Sequence, residues 1–245
     1  MKNKNYTSEN CFRRSSGFTL IEMLVVIAII GLLSGILVPV VSKARIKASG
    51  LKCMGNLRTL QLSNQMYAND HRAWFVSPTS WDNEGVQGVN WHVNADFLQY
   101  FISDEEALEN SEKYWSTKFP LLCPATRRLG SDMPDLVAAN YGLNIGFHSA
   151  LGIADWGTQG AKWRYSADYF PSAARTVAFA DCTDWLLKQE YFAYTEDTEG
   201  RTTDGRLAYR HLGQAFAVHF DGHVGVYTKE DLQDAQMRSH FNLEE

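Results

Sequence analysis

The chain reads as an α+β protein: one long N-terminal helix followed by a globular part with an antiparallel β-sheet. Three observations lead there. Phe18 to Val41 is an almost unbroken apolar run, long enough at ~1.5 Å per helical residue to cross a hydrocarbon core of ~30 Å. Past Val41 the apolar residues thin to one face of a helical repeat, with Ala44, Ile46, Met54, Leu57, Leu60 and Tyr67 on that face and Lys43, Lys47, Lys52 and Arg58 staying polar. Beyond residue 72, short strand-like runs alternate with Gly, Asn, Asp and Pro.

Within the apolar run the strongly polar side chains are Thr19, Glu22 and Ser34, and only Glu22 carries a charge. Ionisable groups inside a membrane span are costly and mark function. A secretory signal would explain the basic residues Lys2, Lys4, Arg13 and Arg14, with cleavage at Ser42-Lys43-Ala44. Its apolar core normally runs only about 7–15 residues, however, and has no use for a glutamate. A plain anchor explains the length and still leaves Glu22 without a role.

Arg13-Arg14-Ser15-Ser16-Gly17, followed without a gap by Phe18-Thr19-Leu20-Ile21-Glu22, resembles the class III signal of type IV pilins and type II secretion pseudopilins. The resemblance implies cleavage after Gly17 by a prepilin peptidase, N-methylation of Phe18 and retention of the helix. It further implies a single pass through the inner membrane, with the leader cytoplasmic and the globular part periplasmic or extracellular. Other pilin-like subunits are the implied partners, joined through the helix. In such a bundle the Glu22 carboxylate can pair with the terminal ammonium of a neighbour and set axial register. Gly31 and Gly35 form a G-x-x-x-G pair that lets helix backbones approach, and Pro39 is expected to bend the helix. Lys43, Arg45, Lys47 and Lys52 rival the leader in positive charge, so orientation rests on the resemblance and not on charge.

Four segments are expected: a leader over 1–17, a membrane or filament-core helix over 18–41, an amphipathic continuation over 42–71, and a globular domain over 72–245. Asn69-Asp70-His71 ends the helix. In pilins the second half of the helix packs on the sheet, and the same is implied here. The globular part holds 14 Lys/Arg against 25 Asp/Glu, an acidic balance that argues against binding a phosphate backbone. Short helical turns are expected at Asp96 to Tyr100 and Glu105 to Glu109, and a hairpin over Phe216 to Tyr227 with Asp221-Gly222 as its two-residue turn.

His211, nine residues and then Asp221-Gly222 is similar to a His-x9-Asp-Gly signature at the C-terminal end of a large group of bacterial prepilin-type proteins. Further pieces of that pattern occur in order: Cys53 with Asn56-Leu57-Arg58, Leu122-Cys123-Pro124, Tyr141-Gly142-Leu143-Asn144, Thr176 to Asp181, and Arg210-His211. A metal site from His211, His219, His223 and Asp221 is set aside. In a two-residue hairpin Phe220 pairs with His223, which puts His219 on the opposite face. An extended 212–220 would also hold His211 roughly 30 Å from Asp221. A structural role for His211, Asp221 and Gly222 is expected, and no cofactor.

No hydrolase, zincin, phosphate-loop or dinucleotide motif occurs, and a non-enzymatic chain is expected. Asp181 with Asp184, and Glu196 with Asp197, read as solvated loop acids, Asp181 as a turn former. Loss of the leader removes Cys11 and leaves Cys53, Cys123 and Cys182 in an oxidising compartment. Cys53 with Cys123 is the preferred bridge, contributing about 4 kcal/mol in the chain-entropy picture; three buried thiols are the alternative. The expected function is that of a pseudopilin in a type II secretion-like machine. A type IV pilin for adhesion, motility or uptake comes second. The alternative of another class is a membrane-tethered module stacking sugars on exposed tryptophans among Trp74, Trp81, Trp91, Trp115, Trp156, Trp163 and Trp185.

Overall fold

In a computed structural model of the chain, Leu20 to Asp70 form a single helix, α1, with Pro39 inside it. The structure describes residues 18–80, 89–103, 108, 121–126, 141–144, 165–166, 172–184, 186–187, 205–234, 236 and 239–241. The expected leader 1–17, nearly all of the expected turn at Glu105 to Glu109 and the pair Glu196/Asp197 lie outside these residues. The chain divides into two units, residues 1–44 and 45–245.

The first turn of α1 is closed by a capping box. Thr19 sits at the cap, its N–H donating to Glu22 Oε2 at 2.8 Å, while the Glu22 N–H reaches Thr19 Oγ1 at 3.3 Å. Each side chain thus satisfies an orphan donor of the other's backbone. From there to Ala44 every side chain of α1 is exposed, including large apolar residues on all sides such as Ile21, Leu24, Ile30, Leu33 and Val38. An all-round apolar helix needs lipid or other helices around it.

From Gly50 onward one face of α1 is buried: Gly50, Cys53, Leu57, Leu60, Asn64 and Ala68 recur every three or four residues, the period of a helix seated on a surface. Met54 and Tyr67 pack at its edge, Ile46 is half-buried and Ala44 is exposed. Arg72 and Ala73 have positive φ, and Ala73 N–H donates back to Ala68 O at 2.8 Å, the closing bond of a Schellman-type end made without glycine.

Among the described residues nine strands follow: β1 Trp74–Phe75, β2 Thr79–Ser80, β3 Val89–Asn90, β4 Tyr141–Asn144, β5 Tyr165–Ser166, β6 Val177–Asp181, β7 Leu186–Leu187, β8 Gln214–His219 and β9 Val224–Thr228. A short helix, α2, spans Ala95–Leu98, capped by Asn94 Oδ1 accepting the Asp96 N–H. Five strands form the main sheet in the order β7-β4-β6-β8-β9. It is mixed and not purely antiparallel: β7 runs parallel to β4, and the other three pairings are antiparallel.

Alternation along β8 sorts the core into two layers. Phe216, Val218 and Phe220 join Cys53, Leu57 and Leu60 of α1, together with Leu143, Phe179 and Trp91. Ala215 and Ala217 belong with Val177, Ala180, Leu207, Tyr227, Leu232 and Phe241. A register shift between Val177 and Phe179 lets β6 serve both layers. Asn144 reaches from β4 to join β6 to Phe241, donating to Val177 O and Phe241 O.

Gly142 is a position where only hydrogen fits. A Cβ there would lie 2.8 Å from Asp184 O and from Cys182 Sγ, so the cross-strand neighbours must move. Gly142→Ala is expected to destabilise by ~1–3 kcal/mol, the usual range for overpacking, read from urea unfolding of the full chain in detergent. An unchanged midpoint would refute the close approach.

Candidate functional site

Two places gather the chemistry-bearing residues, and α1 supports both. At its N-terminus lie Phe18, 71% exposed, and Glu22, whose Oε2 also accepts the Thr19 hydroxyl at 2.8 Å. Glu22 therefore has a local task in starting the helix, a task not read from the sequence although Thr-x-x-Glu is a capping-box pattern. Gly31 and Gly35 have no atom within 4 Å of a built Cβ, so packing within the described residues does not require them. Gly17 lies outside the described residues.

The second place is a buried cluster under β8. Cys53 of α1 and Cys123 are joined by a disulfide. His211 Nε2 lies 3.5 Å from Cys123 Sγ and 3.4 Å from Asp181 Oδ2. Relative exposures are 0% for Cys53, 4% for Cys123, 0% for Asp181 and 4% for His211. Asp181 Oδ2 also accepts the Phe216 N–H at 3.0 Å, whereas Asp181 Oδ1 and His211 Nδ1 are buried without a hydrogen-bond partner among the described residues. The imidazole stacks on the Phe216 ring, centroids 4.5 Å apart. Gly50 makes room for both, its built Cβ being 3.4 Å from the Phe216 ring and 3.7 Å from His211 Nδ1. On the far side Asn56 donates to Leu122 O and Tyr141 Oη, fixing the Cys123 loop against α1.

Asp181 and Asp184 are thus not solvated loop acids; both are buried. Asp181 ends β6 with its carboxylate turned into the protein, where it caps an N–H of β8 and faces His211. The thiol of Cys182 is buried and free, and burial pushes its pKa up to about 12.

His211 arrives here by a chain reversal. Leu212 and Gly213 both have positive φ, and His211 and Gln214 exchange two backbone hydrogen bonds of 3.1 Å, a two-residue hairpin turn of the primed kind. Residues 212–220 are therefore not one extended run. The next turn differs from expectation as well. Gly222 N–H donates to His219 O and His219 N–H to His223 O, with Gly222 at φ 94°. That is a three-residue loop with a glycine bulge and not a two-residue turn. It pairs His219 with His223 on one face, their rings stacked with centroids 4.0 Å apart, so the opposite-face argument fails. Asp221 Oδ1 accepts the His223 N–H and lies 2.7 Å from His223 Nδ1. Phe220 O accepts amide protons from Gln61 and Gln65 of α1 at 2.8 and 2.9 Å.

Sequence reading also missed Tyr227, whose hydroxyl bridges His219 Nε2 at 2.9 Å and His240 Nδ1 at 3.2 Å. Burial, followed by repulsion from His223, lowers the His219 pKa to about 3, and burial does the same to His92. Of the tryptophans, Trp91 is core and Trp74 half-buried; Trp81, Trp115, Trp156, Trp163 and Trp185 lie outside the described residues.

Residues 12–38 match the family model of the prokaryotic N-terminal methylation motif. No curated protein and no solved structure matches the chain. The chain thus carries a prepilin-type methylation motif on the one described helix long and apolar enough to cross a membrane.

His219 and His92 are held neutral in the folded protein but protonate near 6.5 when unfolded. The unfolded chain binds more protons between those values, so stability is fullest above pH 6.5 and falls as pH drops towards 3. His219→Gln is expected to reduce the slope of unfolding free energy between pH 6 and 4.5 by up to ~1.4 kcal/mol per pH unit. Urea titrations at several pH values measure it, and an unchanged slope would show that His219 protonates freely in the fold.

Proposed function

We propose that the chain is a non-enzymatic pilin-like subunit, cut after Gly17 by a prepilin peptidase, N-methylated at Phe18 and assembled with other such subunits through α1. The match of residues 12–38 to the methylation motif carries this reading. Two features support it. The apolar surface of residues 18–41 is exposed on all sides, and Gly31 and Gly35 leave open space suited to a neighbouring helix.

Within that class we favour a pseudopilin of a type II secretion-like machine, with a type IV pilin as the second reading. The acidic, aromatic-rich part after residue 72 is large, which suits a specialised or minor subunit better than a densely packed homopolymer. The proposed topology puts the leader in the cytoplasm and residues 72–245 outside the inner membrane, where the Cys53–Cys123 bridge persists. A tethered sugar-binding module gains nothing from Trp91, which is buried.

Mass spectrometry of the chain recovered from membranes of cells containing a prepilin peptidase is expected to find N-methylated Phe18 as the first residue. Gly17→Ala is expected to abolish that species. An intact leader, or a start at residue 45, would overturn the reading.

Glu22→Gln separates the two tasks of the carboxylate. The amide keeps an oxygen for the Thr19 N–H but carries no charge, so cap and helix survive. If Glu22 pairs with a neighbour's terminal ammonium, crosslinked assemblies fall by about tenfold or more, as for the loss of a buried charge partner. Wild-type assembly in Glu22→Gln would leave Glu22 with its capping task alone.

A further inference from the structure

The buried group around His211 holds more coordination chemistry than a disulfide uses. Two cysteines, a histidine and a carboxylate each offer one ligand atom, all within 4.8 Å of one another. This is a donor set that zinc takes in closed, four-coordinate sites. In a tetrahedron with bonds of ~2.0–2.3 Å the ligand atoms stand about 3.3–3.8 Å apart. His211 Nε2 already lies 3.4 Å from Asp181 Oδ2 and 3.5 Å from Cys123 Sγ. Those edges are right for two atoms sharing a cation, and the Nε2–Oδ2 contact is long for a charge-assisted hydrogen bond, ordinarily about 2.7–2.9 Å. The Cys53 and Cys123 Cα atoms are 5.2 Å apart, close enough for both sulfurs to turn towards one ion.

A second observation points the same way. Among the described residues Asp181 Oδ1 is buried with no hydrogen-bond partner, and a carboxylate oxygen left unpaired in a protein interior costs free energy. The disulfide, which brings no charge, does nothing for it. A divalent cation would answer it, with two thiolates completing the shell.

We propose that the dithiol form of this cluster is a zinc site formed by Cys53, Cys123, Asp181 and His211, so that the position holds either a metal ion or a disulfide and never both. Binding releases the two thiol protons to solvent as both sulfurs become thiolates. Formation of the bridge removes two electrons from those thiolates and expels the ion. The electron acceptor is a disulfide-exchange oxidant, itself reduced to a dithiol. In the reverse direction a phosphine and water return two electrons and two protons to the bridge, and the phosphine leaves as its oxide. Both states tie Cys53 of α1 to Cys123, so this link within residues 45–245 is kept before and after oxidation.

The test uses the full chain in detergent, reduced with a water-soluble phosphine under nitrogen and titrated with cobalt(II), a spectroscopic stand-in for zinc. One equivalent is expected to bind with the visible bands of a tetrahedral, thiolate-ligated ion, and zinc to displace it; the unreduced chain is expected to show none of these bands. Asp181→Asn and His211→Gln are each expected to weaken binding at least about tenfold. Absence of the bands in the reduced chain, or wild-type affinity in both variants, would overturn the proposal. Should the variants fail to fold, zinc-edge X-ray absorption of the reduced wild type decides. Two sulfur and two nitrogen or oxygen neighbours support the site, and any other sulfur count refutes it.

Discussion

One helix has to satisfy two environments, and the rest of the structure depends on how α1 does so. Its first half is apolar on every side and keeps its single carboxylate occupied at the N-cap. Its second half buries amides as well as leucines: Asn56, Gln61 and Asn64 all lie in the interface. Those amides satisfy backbone that would otherwise be buried unpaired. Asn64 Oδ1 accepts the Val76 N–H, Gln61 donates to Phe220 O, and Asn56 donates to Leu122 O. Leucines alone could bury the same area, but the Val76 N–H and Leu122 O would lose these partners.

This mixed face explains why the helix was legible in outline and its contacts were not. Length, apolarity and the Gly17-Phe18 junction are local signals, and a single stretch of chain carries them. The seating of residues 50–68 is not local. Periodicity marks Leu57 and Leu60 as inward, whereas nothing in the sequence marks Asn56, Gln61 and Asn64 as buried, because a side-chain amide shows no sign of burial until its partner is known. Gly50, a poor helix former by itself, is the gap that admits Phe216 and His211.

The buried cluster shows the same limit more sharply. Cys53, Cys123, Asp181 and His211 come from four separate parts of the chain, and no spacing rule joins them. Two backbone details bring His211 in: the left-handed pair Leu212-Gly213 and the carboxylate of Asp181 anchoring the Phe216 N–H. The hairpin tip failed for a narrower reason. Asp-Gly suits a two-residue turn and equally the last two positions of a three-residue loop with a glycine bulge. The choice between them decides whether His219 and His223 share a face, and tertiary anchoring of Phe220 O by Gln61 and Gln65 accompanies the longer loop here.

The nine residues between His211 and Asp221 then have a geometric meaning. They comprise the turn Leu212-Gly213, the six residues of β8 and Phe220. Both ends of this unit meet α1, His211 and Phe216 at Gly50 and Phe220 at Gln61 and Gln65. Six strand residues at ~3.3 Å per step cover roughly 17 Å. The helix from Gly50 to Gln61, at ~1.5 Å per residue, covers about the same distance. Strand and helix are thus matched in length, each end fixed by polar or close-packed contacts. Adding one residue to β8 would exchange its two faces and put Ala215 and Ala217 where Phe216 and Val218 fill the core. Adding two would restore the faces but carry the turn more than a helical turn past its glutamines. The spacing is set by the joint demand of face and length, a demand that neither the histidine nor the Asp-Gly turn expresses alone.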